Sequence, residues 1–339
     1  LLAKGADASA TDENGLDALM WAAMKGHAEV IEQLLQQKVE INRKSKKGIT
    51  PLLYAAGNGR DEAVKLLVEK GANINVAIGA GTTPLMFMAQ WGKLASVELL
   101  LDKGAEVDRR NTGGSNALML AAGNAHNLVV KALLKYGADV NLANRNGWPA
   151  LMYAVQRGSG ETMKILLKAG ADVNAVNLLG SSALALASAK GNIEAMQILL
   201  DAGADIDMQD KTGFTPLMAA AWNNRNKAVE LLLEREAAVN ISHNNGMTAL
   251  MWAARRSHKE VVKALLAKGA DVNALDNEGR SALMVASIYG HYEIVRLLLD
   301  AGADPSIVGK DAKTAADWAK QKGFSAIEAL ISISLQKNP

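Results

Sequence analysis

The sequence predicts an all-α solenoid of stacked helix-turn-helix units whose connecting loops project as hairpins. Three observations predict it. Glycine recurs every 33 residues at Gly15, Gly48, Gly81, Gly114, Gly147, Gly180, Gly213, Gly246 and Gly279. Leucine follows four residues later each time, from Leu19 and Leu52 to Leu250 and Leu283. A second glycine series (Gly5, Gly71, Gly104, Gly137, Gly170, Gly203, Gly269 and Gly302) keeps the same phase. A fixed period of this length marks a supersecondary unit that buries its apolar face only against its neighbours. The 339 residues would suggest two or three domains by length alone; the period makes them one continuous array.

Each element of the unit has a local reason. The loop Asp276 to Gly279 leads into Ser281, whose hydroxyl is suited to cap a short helix through Ala286. A turn follows at Gly290 and His291. From Glu293 to Leu299 the apolar residues Ile294, Val295, Leu297 and Leu298 form one stripe of a second helix. Gly302 is placed to end it, since a helix C-terminus often needs φ > 0. Lys38 and Glu236 stand where that glycine is missing, and the strain costs on the order of 1 kcal/mol each.

The segments "GFTPLMAAA" (213–221), "GMTALMWAA" (246–254) and "KALLAKGADVNA" (263–274) closely resemble the ankyrin repeat. The resemblance covers nine units over residues 12–308 and implies β-hairpin loops and a concave face lined by the first helices. Residues 1–11 read as the tail of a preceding unit, so the fold is expected to continue upstream. Residues 309–339 read as a degenerate capping unit, helical at Thr314 to Lys320 and Ser325 to Leu330, with Ala312 in place of the loop glycine. The family's usual Thr-Pro-Leu-His ends here in Met20, Met86, Met119, Met152, Met218, Met251 and Met284, which fits an apolar spine. The "TALMWAA" wording and the absence of cysteine are similar to bacterial ankyrin proteins.

Composition narrows the function classes. With 37 basic and 35 acidic residues, the net charge of +2 excludes a uniformly basic nucleic-acid binder and an acidic disordered tail. No run of about 18 apolar residues is present to span a membrane, and no leader peptide is visible. Zero cysteines remove disulfides, thiolate metal sites and a cysteine nucleophile, without choosing a compartment. His27, His126, His258 and His291 share one inter-helix turn position and read as structural. Neighbouring ones stand a helix layer apart, near 10 Å, too far to share zinc at about 2 Å per ligand. "GAGTTP" (79–84) and "GSGET" (158–162) lack the Lys-Ser/Thr of a phosphate loop. No catalytic residue, metal or cofactor is therefore assigned.

Recognition is expected where units differ. Counting each unit from Asp12 and its equivalents, the loop tips are positions 2, 3, 5, 32 and 33. First-helix positions 10, 13 and 14 share one face. These positions hold 10 of the 14 aromatics and 14 of the 37 basic residues, against only Glu13 and Glu278 among the acids. The near-neutral total conceals a segregated surface.

Trp91, Trp148, Tyr153, Arg157 and Trp222 are the expected central anchors, flanked by Arg109, Arg110, Arg255, Arg256 and Tyr289. Trp, Tyr and Arg are enriched at interface hot spots, and a basic surface steers acidic partners. Trp91, Trp148 and Trp222 are expected to be exposed; for Trp21, Tyr54, Phe87, Tyr153 and Trp252, packing and contact are equally open. The leading function is a monomeric, non-catalytic scaffold that binds an acidic protein. Three alternatives stay open: an inhibitor or immunity-type protein occluding a toxin or secreted enzyme, a binder of nucleic acid or anionic lipid, and a regulatory region of a larger enzyme.

Overall fold

The computed structural model describes residues 7–337, and among them there are twenty α-helices and no strand. The chain divides into two compact units, one ending at Asp172 and one beginning at Val173. Each is a stack of helix pairs.

In the first unit the leading helices are α1 (Ala18–Lys25), α3 (Pro51–Gly57), α5 (Pro84–Gln90), α7 (Ala117–Gly123) and α9 (Ala150–Arg157). Their partners are α2 (Ala28–Gln36), α4 (Asp61–Glu69), α6 (Leu94–Asp102), α8 (Asn127–Lys135) and α10 (Gly160–Lys168). Each leading helix packs on the next leading helix and on its own partner, and the partners form a second layer. The leading helices contribute the buried Leu-Met pairs Leu19/Met20, Leu85/Met86, Leu118/Met119 and Leu151/Met152. Methionine thus fills the spine as an unbranched apolar side chain.

The second unit repeats the scheme with α11 (Ala183–Lys190), α13 (Pro216–Trp222), α15 (Ala249–Arg255), α17 (Ala282–Ile288) and α19 (Ala315–Lys322). They alternate with α12 (Ile193–Asp201), α14 (Asn226–Glu234), α16 (Lys259–Ala267), α18 (Tyr292–Asp300) and α20 (Ser325–Lys337). The last pair runs further than its sequence pattern suggests. Thr314 is the N-cap of α19, in a reciprocal capping box with Asp317. Ala312 takes φ 61° where other loops have glycine. The expected tail at residues 1–11 lies in part outside the described residues.

Capping is local and repetitive. The hydroxyls of Thr50, Thr83, Thr215, Thr248, Ser182 and Ser281 each accept from the backbone N–H three residues on. Asp17 and Asn116 do the same with carboxylate and amide oxygens. Lys38 and Glu236 take left-handed φ values of 59° and 64°, as their missing glycines require.

The loops depart from expectation. No β-hairpin forms among the described residues; the arms meet in isolated bridges such as Thr11 with Asp17 and Ser242 with Thr248. The reason is arm length. A helix begins directly after each bridge, so no second ladder bond follows. Within each unit most neighbouring loops are linked by one backbone bond, as from Lys46 N–H to Asn14 (3.1 Å) and from Asn244 N–H to Thr212 (2.9 Å). Side chains supply the remaining ties. Asn240 accepts from Asp271 N–H at 2.8 Å and donates to the Gly269 carbonyl at 3.2 Å.

Candidate functional site

The last residues of the leading helices carry the candidate site, and a second set of side chains holds them in place. Three of the four turn histidines point back to the preceding pair. His126 Nε2–H donates to the Gln90 carbonyl (3.0 Å), His258 to Trp222 (3.1 Å) and His291 to Arg255 (3.0 Å). A carbonyl can only accept, so Nε2 carries the proton in each. These bonds satisfy helix-end carbonyls that have no intrahelical partner. Arg60 and Arg225 perform the same task without histidine, donating Nε–H to the carbonyls of Met24 and Ala189 at 3.1 Å. Burial lowers the His258 pKa first; Arg256 and His291 lower it further, against the raising effect of its bond to Trp222.

In the first unit the predicted residues divide by what they touch. Trp91 is half exposed (50%), and its indole lies over the turn at Gly59, where a β-carbon would stand 3.3 Å from the ring. Trp148 and Tyr153 form an edge-to-face pair with centroids 5.8 Å apart. The Tyr153 hydroxyl accepts from Asn144 Nδ2 at 2.8 Å, and its ring covers Gly123. Tyr153 is therefore both a packing residue and an edge of the surface.

Arg157 is exposed and has no ion pair or hydrogen bond. Arg109 and Arg110 are engaged within the chain. Arg109 Nη1 donates to the Asn75 carbonyl (2.7 Å), while Arg110 Nε donates to Gly114 (2.9 Å) and its Nη2 to Ala143. Gln209 occupies the position of Arg110 in its own loop and clamps Gly213 and Ser242 in the same way.

The second unit gathers a denser cluster. Trp222, at the end of α13, meets Trp252 of α15 almost perpendicularly, with centroids 4.9 Å apart. Phe214 and His243 close the other sides of Trp252, at 5.7 Å each. Trp252 is consequently core, only 8% exposed, and its indole N–H has no hydrogen-bond partner.

Two guanidiniums cover this cluster. That of Arg256 lies 3.7 Å above the Trp222 ring. That of Arg255 stands 5.9 Å from Trp222, 5.7 Å from Trp252 and 5.2 Å from Tyr289. Ring faces within about 6 Å attract a cation. Neither guanidinium has an ion pair or hydrogen bond. Tyr289 is itself 46% exposed and stacks with His291.

Trp148 and Trp222 are half-buried rather than exposed as the sequence suggests. Trp148 leans on Tyr153, and Trp222 is held between Trp252 and Arg256. His243 was the unrecognised member: it stands where most loops have Asn or Asp, and only that substitution beside Phe214 and Trp252 signals it. Ion pairs concentrate elsewhere, mostly on second helices, as in Lys65–Asp61 and Arg235–Asp201. No three His, Asp or Glu side chains cluster as metal ligands among the described residues. No helix among them is long and apolar enough to cross a membrane.

The fold defines a helical-repeat solenoid of stacked helix pairs. The chain belongs to the ankyrin-repeat family: the family model "Ankyrin repeats (3 copies)" matches residues 1–78, 85–177, 151–243 and 236–309. Such repeats are typically non-catalytic modules of protein-protein interaction. Among solved structures the chain is similar to the human ASB11 ankyrin repeat domain, at 30% identity and a TM-score of 0.60. That match covers 66% of this chain and all of the other. A comparison with curated proteins returns no match.

Proposed function

We propose that this scaffold binds an acidic protein partner through the aromatic and basic residues at the ends of its leading helices. The observation that carries the reading is the set of unpaired cations there. Among the described residues Lys25, Arg157, Arg255 and Arg256 have no carboxylate partner, although the chain holds 35 acidic residues. On the second helices Lys65, Lys131, Lys259, Lys263 and Arg296 are ion-paired, and Lys164, Lys168 and Lys227 are not, but no aromatic ring lies beneath those lysines as one does beneath Arg255 and Arg256. Unpaired guanidiniums over indole rings are desolvated in part before any partner arrives. A carboxylate then gains a charge-assisted contact at small further cost.

Trp91, Trp222 and Tyr289 supply apolar area beside those charges, the composition of an interface anchor. Arg157, Arg255 and Arg256 are the contact cations, whereas Arg109 and Arg110 support the loops. The basic residues are spread over many repeats, which favours a folded acidic surface or segment over a nucleic-acid backbone. Affinity capture with the native chain and with a Trp91→Ala/Trp222→Ala variant, read by mass spectrometry, tests the assignment. The native chain retains acidic proteins that the variant loses. An identical set of captured proteins would discard the anchors.

A further inference from the structure

A cavity of about 240 Å³ opens beside Arg255, lined also by Met247, Arg280, Val285, Ile288 and Tyr289. Met247 and Val285 line it but are nearly buried, so most of the surface it exposes is polar. Its two guanidiniums differ in state. Arg280 donates from both Nε and Nη2 to Asp276 Oδ2 at 2.8 Å, so its charge is already met by a buried carboxylate. Arg255 has no counter-ion, and the bond from His291 to its own carbonyl fixes the helix end that carries it. The pocket thus holds one uncompensated positive charge.

That description selects an occupant. The volume lies below the 300–1,000 Å³ usual for small-molecule sites, and suits a single side chain. One free guanidinium matches one negative charge, and the adjacent Asp276 carboxylate opposes a doubly charged phosphate. The rings of Trp222 and Tyr289 lie 5.9 and 5.2 Å from the Arg255 guanidinium. In an extended strand, side chains two residues apart share a face at about 6.6–6.8 Å.

We propose that the cavity beside Arg255 receives the carboxylate of a glutamate in an extended segment of the partner. Apolar residues two positions to either side of that glutamate rest on Trp222 and Tyr289. The inference rests on the acidic-partner reading and gives it a recognition pattern: apolar, any, glutamate, any, apolar.

The test titrates the full chain with acetyl-Leu-Ala-Glu-Ala-Leu-amide, followed by indole N–H chemical shifts. Two peptide controls replace Glu by Gln or move the leucines next to the Glu, and the proteins are wild type, Arg255→Gln and Arg255→Lys. Wild type binds the Glu peptide saturably and at least tenfold more tightly than either control. Arg255→Gln loses both the affinity and the Glu-over-Gln preference, while Arg255→Lys keeps the preference with several-fold weaker binding, since the planar fork is gone. Lys therefore decides the matter even if the Gln variant fails to fold.

Equal binding of the Glu and Gln peptides, or no saturable binding, overturns the pocket. Equal binding of the rearranged peptide overturns the spacing. Polyglutamate separates the two levels of the argument. If it binds wild type and Arg255→Gln alike, the pocket falls and the basic face stands; if it does not bind wild type, both fall.

Discussion

Replacing Glu236 by glycine is expected to stabilise the fold. Glu236 follows α14 at φ 64°, while the glycines at the equivalent position, such as Gly203 and Gly269, take 86° and 81°. At Gly269 two backbone bonds close the helix, from Gly269 N–H to Leu266 (3.1 Å) and from Ala270 N–H to Leu265 (3.0 Å). At Glu236 only the second of these is made, from Ala237 N–H to Leu232 at 2.9 Å. Glycine removes a left-handed strain of about 1–2 kcal/mol and allows the missing bond, worth about 0.5–1.5 kcal/mol. Against this, glycine raises unfolded-state entropy by about 0.4–1 kcal/mol. At the middle of these ranges the net gain is about 2 kcal/mol, or a rise of about 4–8 °C in Tm.

Thermal and urea unfolding followed by circular dichroism measure it, with amide exchange at the end of α14 reporting the local effect. Glu236→Gln is the control, because it removes the charge near a helix C-terminus while keeping the strain; it should recover only a small part of the gain. An unchanged or lower Tm for Glu236→Gly, or an equal gain from Gln, would refute the backbone argument.

Asn240→Ala removes both bonds from one loop to the next and should cost about 1–3 kcal/mol in urea unfolding. Asn240→Asp keeps the acceptor, as Asp108 and Asp207 do in their loops, and should cost less. His258 is held below its usual pKa of 6.5, chiefly by burial. Its neutral form is favoured in the folded chain, so its stabilisation is full above that value and is lost as pH falls through the folded pKa. Tm should therefore decline below about pH 6.5, and His258→Gln should show a shallower decline across the same range. For binding, Trp91→Ala and Trp222→Ala together should weaken a captured partner by about 2 kcal/mol or more, read by calorimetry.

The 33-residue period made the fold legible because every unit repeats the same caps, turns and apolar stripe. It placed Ser281 at a helix N-cap and Gly302 just past a helix end, and the structure has both. It could not show that the loop arms are too short for strands, since resemblance carries the hairpin but not the number of ladder bonds. The candidate face was legible as a distribution, less so residue by residue. Position 10 of one pair meets position 13 of the pair before it, as Trp252 meets Trp222 and Tyr153 covers Gly123. A single unit's periodicity contains no such contact, so packing and exposure could not be told apart. Arg109 and Arg110 mislead for a related reason: their partners are carbonyls of Asn75 and Ala143, about one period away in sequence. His243 escaped notice because it belongs to no repeated series.

Charge reversal measures the central claim directly. The triple variant Arg157→Glu, Arg255→Glu, Arg256→Glu changes the unpaired cations of the leading helices. Lys164→Glu, Lys227→Glu, Lys268→Glu changes three exposed lysines at or beside second helices. Affinity for a captured acidic partner is compared across both variants and wild type over a range of salt. The account predicts that the first variant loses binding and its salt dependence while the second stays close to wild type. Equal effects of the two variants, or wild-type affinity in the first, would contradict it.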